Sequence, residues 1–446
     1  APCTDPTMQR GVVYWFGQDL RLHDHPGLHA ALAHALRQGA WWLPLYIRDP
    51  AQQALTAWGF ERCGPHRQAW TERAVNGLAD ALAAHGQALR TVQGDPVEVL
   101  LEWLALWRRS GVDVTVYCEA VDAPEEQARL QALMARGVRV RPVPVASLLP
   151  FDDLPFAPER APDVFTAFRQ AVEKAHVQAP APLPVPHQWP SAAPASLPLP
   201  PRHVKAPLSA RPDPRGSFAW DQAACDGAEA AALAHLQRYC DLGLPHSYKT
   251  TRNALMGFAH SSKWSPWLAT GALSARQAWA AVRAFEDRHG ASDSSYWLWF
   301  ELLWRDHFRL MHRKYGRRLY RAQGLGHAPP PPFDAERFAL WAQGRTGHAL
   351  VDAGMRELAT TGWLSNRMRQ IVASAWIHEC QGDWRAGAAW FEAQLIDFDV
   401  HSNQGNWLYI AGRGTDPRGG RRFNLDKQAQ DHDPEGTYRR LWGTAP

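Results

Sequence analysis

Residues 12–26 read VVYWFGQDLRLHDHP, and the fold turns on the first five. An apolar run of β-branched and aromatic residues that stops at Gly17 reads as a buried strand. Four more such runs follow: WWLPLYI (41–47), ALRTVQG (88–94), DVTVYCE (113–119) and VRVRPVPV (138–145). Amphipathic helical stretches separate them. Strands that alternate with helices predict an α/β N-terminal domain over residues 1–145, built as a doubly wound parallel sheet. No Gly-x-Gly-x-x-Gly succeeds the first strand, so a dinucleotide fingerprint is absent. The HDHP at 23–26 has the spacing of a turn after a strand, and no metal is expected there or elsewhere.

From Ala179 to Pro214 the chain holds twelve prolines. Proline has no amide donor and fixes φ, so this tract is expected to be extended, within an inter-domain linker over 146–225. Beyond about Asp226 strand signals give way to helical periodicity, as in GAEAAALAHLQRY and RMRQIVASAWIHEC. Residues 226–446 therefore read as a mostly α-helical C-terminal domain, without internal repeats. A chain of 446 residues exceeds one ordinary core, and 46% hydrophobic content is ample for two. The six cysteines (Cys3, Cys63, Cys118, Cys225, Cys240, Cys380) form no close pair in sequence, which predicts reduced thiols rather than disulfides, zinc or an iron–sulfur cluster. No apolar run would span a bilayer, and APCTDPTMQR lacks the centre of a signal peptide, so a monomeric, cytoplasmic protein is expected. A net charge of +4 does not argue for nucleic acid by itself, although WRDHFRLMHRKYGRRLYR and GRGTDPRGGRRFN concentrate basic residues. Composition assigns most of the 22 tryptophans to core packing.

Three stretches carry chemistry. LIDFDVHSNQGNW (395–407) sets Asp397, Asp399, Asn403, Asn406 and Trp407 among apolar residues. Unpaired buried carboxylates are costly, so something must satisfy them. Asn366 and Arg369 stand at i and i+3 on one helical face, where Arg369 can neutralise a carboxylate; an internal ion pair without a ligand accounts for these residues too. SSKWS (261–265) precedes a helical stretch and offers hydroxyls, a cation and amides that suit a diphosphate, or simply caps the helix. Glu301, Trp304, Arg305 and Phe308 fall at i, i+3, i+4 and i+7. An aromatic flanked by acid and base suits flipped, stacked nucleobases; a buried stripe explains Trp297, Trp299 and Phe300 but not Glu301 or Arg305. No His-Glu-x-x-His, Gly-x-Ser-x-Gly or P-loop occurs.

Together these strings resemble the photolyase/cryptochrome family: VVYWFGQDLRLHDHPGL at the start, then PDVFTAFRQAVE, YKTTRNALMG, SSKWSPWLATGALS, YWLWFELLWRDHFR, GRTGHALVDAGMRELATTGWLSNRMRQIVAS, DWRAGAAWFEAQLIDFDVHSNQGNW and DPEGTYRRLW. PDVFTAFR, YWLWFELLWRD and NRMRQ are most similar to its DASH cryptochrome branch. The resemblance spans almost the whole chain. It implies FAD bent into a U inside the helical domain, with Tyr248, Ser261, Ser262, Lys263, Trp264 and Ser265 around its phosphates. Arg369 would pair with Asp397 beside the flavin, Asp399 would accept from the polar edge of the isoalloxazine, Asn403 would face N5, and Arg305 and Asn366 would line the same cavity. Glu301 would hydrogen-bond a cyclobutane pyrimidine dimer against which Trp304 packs. Asn366 and Arg367 would line that pocket, and Arg252, Arg305, Phe308 and Gln428 would contact DNA.

The implied activity is blue-light-driven repair of pyrimidine dimers by reduced flavin, with single-stranded DNA preferred. The alternative is a blue-light photoreceptor that binds nucleic acid or a protein and signals through flavin redox state. Glu301, Trp304 and Asn366 favour repair, because a sensor needs no dimer contacts and would carry a long C-terminal extension. An antenna, 5,10-methenyltetrahydrofolate, would meet Glu119 in YCEAVDAPEE. Two departures bear on these expectations. Gly17 and Gln18 stand where the family commonly has Arg-Asn, next to the antenna region. Trp407 and Trp384 match the inner two of three tryptophans that conduct electrons to the flavin, but Pro331 stands where the third belongs. That chain ends at Trp384 unless another aromatic, with Trp363, Trp376 and Trp390 nearby in sequence, completes it.

Overall fold

The structure, a computed structural model, describes residues 8–208 and 210–443; Cys3 lies outside the described residues. Five parallel strands, β1 (Gln9–Phe16), β2 (Trp41–Arg48), β3 (Arg90–Gln93), β4 (Val112–Glu119) and β5 (Val140–Val143), form one sheet in the order β3-β2-β1-β4-β5. Each falls on a run expected from the sequence. Val12, Tyr14 and Phe16 pack with α1 (Pro26–Gln38) and α2 (Pro65–Ala84). Val13 packs on the other face with α3 (Pro96–Arg109) and α4 (Pro124–Ala135). Both faces are covered, which is why the strands are apolar along their whole length. Strands are added on one side of β1, and α3 then carries the chain to the other side. The order reverses beside β1, and the carboxyl ends of the strands open into a crevice there.

The segment 146–225 is more than a connector. It holds α5 (Phe165–Lys174), and its proline-rich part lies along the sheet as an extended strap. The Trp42 amide donates to the Ser191 carbonyl (3.0 Å), the Thr91 amide to that of Pro201 (3.0 Å) and the Trp107 indole to that of Pro198 (2.8 Å). Proline lacks the N–H but keeps the carbonyl, so the strap can accept from the sheet.

The second half is helical: α6 (Glu229–Asp241), α7 (Tyr248–Thr251), α8 (Ser265–Thr270), α9 (Ala275–His289), α10 (Asp293–Tyr315), α11 (Ala335–Ala342), α12 (Ala349–Thr361), α13 (Asn366–Ser374), α14 (Trp384–Gln394), α15 (Val400–Ala411), α16 (Leu425–His432) and α17 (Thr437–Leu441). The 23-residue α10 starts with a Ser292/Ser295 capping box and ends at Gly316. A single π turn, Ala375–Glu379, extends α13. No described helix is long and apolar enough to cross a membrane, and the five described cysteines are free thiols.

The HDHP turn locks the two halves together. Asp24, 0% exposed, accepts from the Arg276 Nε (3.0 Å), the Ser274 hydroxyl (2.5 Å) and the Leu183 amide (3.1 Å). Glu229 accepts the amides of Leu22 (3.1 Å) and His23 (2.7 Å). Asp24→Ala leaves Arg276 without its buried partner and is expected to destabilise the protein by about 3–5 kcal/mol, read from the denaturant midpoint. A loss under about 1 kcal/mol would show that the latch is dispensable. His23 Nδ1 lies 2.9 Å from Glu229 Oε1, and that hydrogen bond holds the imidazole above its ordinary pKa. Its contribution is complete below about pH 6.5 and fades as pH rises through the raised value. His23→Ala is expected to flatten this part of a pH–stability curve.

Candidate functional site

Helices α10 and α13, the end of α7 and the loops before α8 and α15 present the charged groups. Arg369 on α13 meets both oxygens of Asp397, Nη1 to Oδ1 at 3.0 Å and Nη2 to Oδ2 at 2.8 Å. Its Nε donates to the Leu364 carbonyl (2.9 Å), which fixes the plane of the fork. Ser265, the first residue of α8, gives its hydroxyl to the same carboxylate (2.6 Å). The Asp397 side chain is 1% exposed, and these three hydrogen bonds satisfy it in the interior.

Lys263 stands beside this pair with φ +57°, an uncommon backbone for a lysine. Its ammonium donates to the Gly257 carbonyl (3.0 Å) and the Ser261 hydroxyl (2.8 Å), and burial pulls its pKa down to about 8. Lys263 and Arg369 lie 5.4 Å and 5.0 Å from the centre of the Trp363 ring. A buried cation bonded only to neutral oxygens is a donor that an anionic group would complete. Ser262 contributes its carbonyl to His235 (2.7 Å), Trp264 is buried, and the Tyr248 phenol is pushed above its ordinary pKa by burial.

Asp399 caps α15 through the Ser402 amide (2.8 Å) and accepts from Arg309 Nη2 (2.9 Å). Burial opposes its ionisation, but Arg309 and His401 outweigh it and hold the carboxyl well below the usual range. Sequence reasoning passed over Arg309. The signal was the second carboxylate in DFD, which needed its own cation, and an arginine one turn beyond Arg305. Asn403 donates its amide to the Ala388 carbonyl (3.0 Å).

Glu301 accepts from Arg252 Nη1 (2.6 Å) and Trp297 Nε1 (3.2 Å). Burial raises its pKa, against the pull of Arg252 and Trp297. Arg367 donates to Asn253 (3.0 Å), and Asn366 is exposed at the start of α13. Trp304 stacks flat on Phe165, 3.9 Å between centroids and 9° between planes, and faces the edge of Tyr409 at 6.3 Å. With Phe308 and Gly405 these rings line one pocket. Glu301 is not among its lining residues, so the structure groups Trp304 with Phe165, Phe308 and Tyr409, and Glu301 with Arg252. Phe165 and Tyr409 were missed from sequence; Tyr409 stands two residues after Trp407 and accepts from Arg421 (2.9 Å). Arg305, expected at cofactor and DNA, instead donates to the carbonyls of Ala146 and Leu268, and burial pulls its pKa down to about 10. Gln428 keeps a buried Oε1 with no partner among the described residues. In the basic loop, Arg418 pairs with Asp416 (2.8 Å) and Arg422 with Glu379 (3.1 Å).

At the end of β4, Glu119 has a buried Oε2 without a partner among the described residues. Burial and the charge of Asp19 push its pKa up to about 8. It borders an open cleft of about 2230 Å³ at the strand ends, with Gly17, Gln18, Tyr46, Arg48 and Arg129. A Cβ on Gly17 would lie 3.9 Å from Glu119 Oε2, in ordinary contact with it.

Residues 12–187 match the family model for DNA photolyase, and residues 297–444 match that for the FAD binding domain of DNA photolyase. Cryptochrome DASH of Synechocystis sp. is 41% identical over 440 residues, which cover 97% of this chain and 87% of that protein. The chain belongs to the photolyase/cryptochrome family, in its DASH branch. The crystal structure of Synechocystis sp. PCC6803 cryptochrome superimposes with a TM-score of 0.88 at 39% identity, over 98% of this chain and 89% of that one. A bacterial class III photolyase from Agrobacterium tumefaciens gives 0.75 at 27%, over 99% and 88%. The matched FAD-binding region contains α10, Arg369, Asp397, Asp399 and Asn403. The donor set fits FAD: Lys263 is a buried cation bonded only to neutral oxygens, and Asp399 is a buried carboxylate beside Arg309. Among the described residues no cluster of His, Cys, Asp or Glu could hold a metal ion.

Arg369→Ala leaves the buried Asp397 with only the Ser265 hydroxyl and is expected to cost about 3–5 kcal/mol of stability. The purified variant should lack the flavin absorbance of the wild type. Retention of full flavin content would show that the pair is not part of the cofactor site.

Proposed function

We propose that this DASH-branch protein repairs cyclobutane pyrimidine dimers in single-stranded DNA under blue light. The observation that carries the reading is Glu301, a carboxyl of raised proton affinity held by Arg252 and Trp297 on the helix that also carries Trp304. A purely structural stripe on α10 has no use for that acid. FAD, when bound in its reduced form, supplies the light absorption and the electron that opens the cyclobutane ring.

The chain does the rest. Lys263 and Ser261 would offer donors to the diphosphate, the Arg369–Asp397 pair, braced by the Ser265 hydroxyl, and Asp399 would orient the flavin, and Asn403 would stand beside its ring. Glu301 hydrogen-bonds the pyrimidine carbonyls and amides of the dimer, Trp304 packs against it, and Asn366 borders the same space. Arg252 and Arg367 neutralise phosphates on the approach, with Gln428 and Phe308 alongside. A dimer in a single strand needs no unpairing before it enters, which favours that substrate. The cleft at Glu119 takes the antenna, 5,10-methenyltetrahydrofolate: a carboxyl near neutral pKa can pair with the amino and ring N–H groups of a pterin. The protein acts as a cytoplasmic monomer.

The test is repair of thymine dimers in a single-stranded oligonucleotide by the chemically reduced, illuminated protein. Glu301→Ala is expected to lower the rate about ten- to a hundredfold, the worth of one hydrogen bond to a charged group, with flavin content unchanged. Repair at the wild-type rate would sink the assignment.

A further inference from the structure

Trp384 is 1% exposed, and its indole donates to the Ala322 carbonyl (2.9 Å). The stretch beside it, residues 322–332, contains neither tryptophan nor tyrosine. An electron vacancy that reached Trp384 would therefore find no oxidisable ring within this stretch; the indole that packs on the loop is Trp58, on Phe333 at 4.8 Å between centroids.

A different set of rings leads away from Trp407. Gly387 on α14 separates Trp407 from Trp376: a Cβ at that position would lie 2.3 Å from Trp407 Cη2 and 2.9 Å from Trp376 Cδ1. Only the absence of a side chain on Gly387 lets the two indole edges share this gap. Trp376 enters it from the π turn after α13, an irregularity that often marks a functional position. Trp341 packs against both rings, 6.3 Å from Trp407 and 5.3 Å from Trp376 between centroids. Phe338 then bridges Trp376 (5.3 Å) to Trp390 (5.9 Å). Trp341 and Trp376 are wholly buried, whereas Trp390 is partly exposed.

We propose that the electron supply to the flavin runs through Trp407 and Trp376 and ends at Trp390, which takes the role that Pro331 cannot fill. The proposal rests on a flavin seated beside Trp407, as above. One electron leaves the Trp407 indole for the light-excited, oxidised flavin. Trp376 refills Trp407 and Trp390 refills Trp376, so the vacancy moves to the partly exposed ring. Trp390 Nε1 is buried and has no acceptor among the described residues, so no proton leaves and the vacancy persists as a radical cation. A thiol reductant in solution, as its thiolate, returns one electron to Trp390 and becomes a thiyl radical. Trp341 widens the first step without being required as a station.

Flash spectroscopy of the oxidised-flavin protein with dithiothreitol tests this through the tryptophan radical signal rather than through repair. Trp390→Phe is expected to reduce the yield of long-lived radical at least fivefold, and Trp384→Phe to leave more than half. The surviving wild-type signal should have the spectrum of the cation, not of the deprotonated radical. Trp376→Phe should behave like Trp390→Phe; because Trp376 is a core residue, the partly exposed Trp390 is the deciding position. A Trp390→Phe variant with wild-type radical yield, or a Trp384→Phe variant with none, overturns the route. Failure of the underlying reading is separate: if Trp407→Phe forms radicals normally, the flavin does not lie beside Trp407. Repair by chemically reduced Trp390→Phe should match the wild type.

Discussion

The anchoring of α10 is the constraint on which the rest of the structure depends. Asp306, wholly buried, accepts the amides of Leu148 and Leu149 (both 2.9 Å). One residue on, His307 meets the Pro162 carbonyl (3.0 Å), and two turns later Lys314 reaches that of Ala161 (2.9 Å). A helix tied at three heights to the segment between the domains cannot roll about its axis. Its remaining side chains are then placed by register alone: Glu301 toward Arg252, Trp304 toward Phe165 and Tyr409, and Arg309 toward Asp399.

Three buried carboxylates at the latch and the candidate cofactor site share one pattern, from which two other groups differ. Asp24, Asp397 and Asp399 each have an arginine at hydrogen-bond distance, which is the condition for keeping a carboxylate in an apolar interior. Lys263 has only neutral oxygens, and Glu119 has an oxygen with no partner among the described residues. These exceptions stand at the two places where the resemblance puts an anionic diphosphate and an antenna. Asp399 is paired with Arg309 yet is not saturated, since a carboxylate can accept more hydrogen bonds than Arg309 and the Ser402 amide provide.

Two single-residue departures from the family pattern have local consequences of different kinds. Gly17 provides no side chain to partner Glu119, whose proton affinity is raised by burial and by the charge of Asp19. Pro331 removes an oxidisable ring in a loop whose carbonyls are held by Arg413, which donates to Pro329 (3.0 Å). No ring within the loop's proline run replaces it, although Trp58 packs on Phe333 just beyond, and Gly387 brings Trp376 against Trp407 from another direction.

The sequence by itself determined the strands and the helical second half. Both are written locally, as apolar runs between helical stretches and as 3.6-residue periodicity. The ordered motifs also determined the family, and with it the expectation that Arg369 pairs with Asp397. Only the tertiary structure decided that Arg309 answers Asp399, that Arg305 is held by main-chain carbonyls, that Phe165 from the connecting segment lies on Trp304, and that the proline tract straps the sheet. It also decided which of 22 tryptophans touch. Helical neighbours such as Trp103 and Trp107 aside, those pairings join residues from tens of positions apart to the span between Trp70 and Trp267, and side-chain type and spacing carry no information about contacts at that separation. The packing of whole elements sets them, once the HDHP latch and the ties along α10 have fixed how the two halves meet.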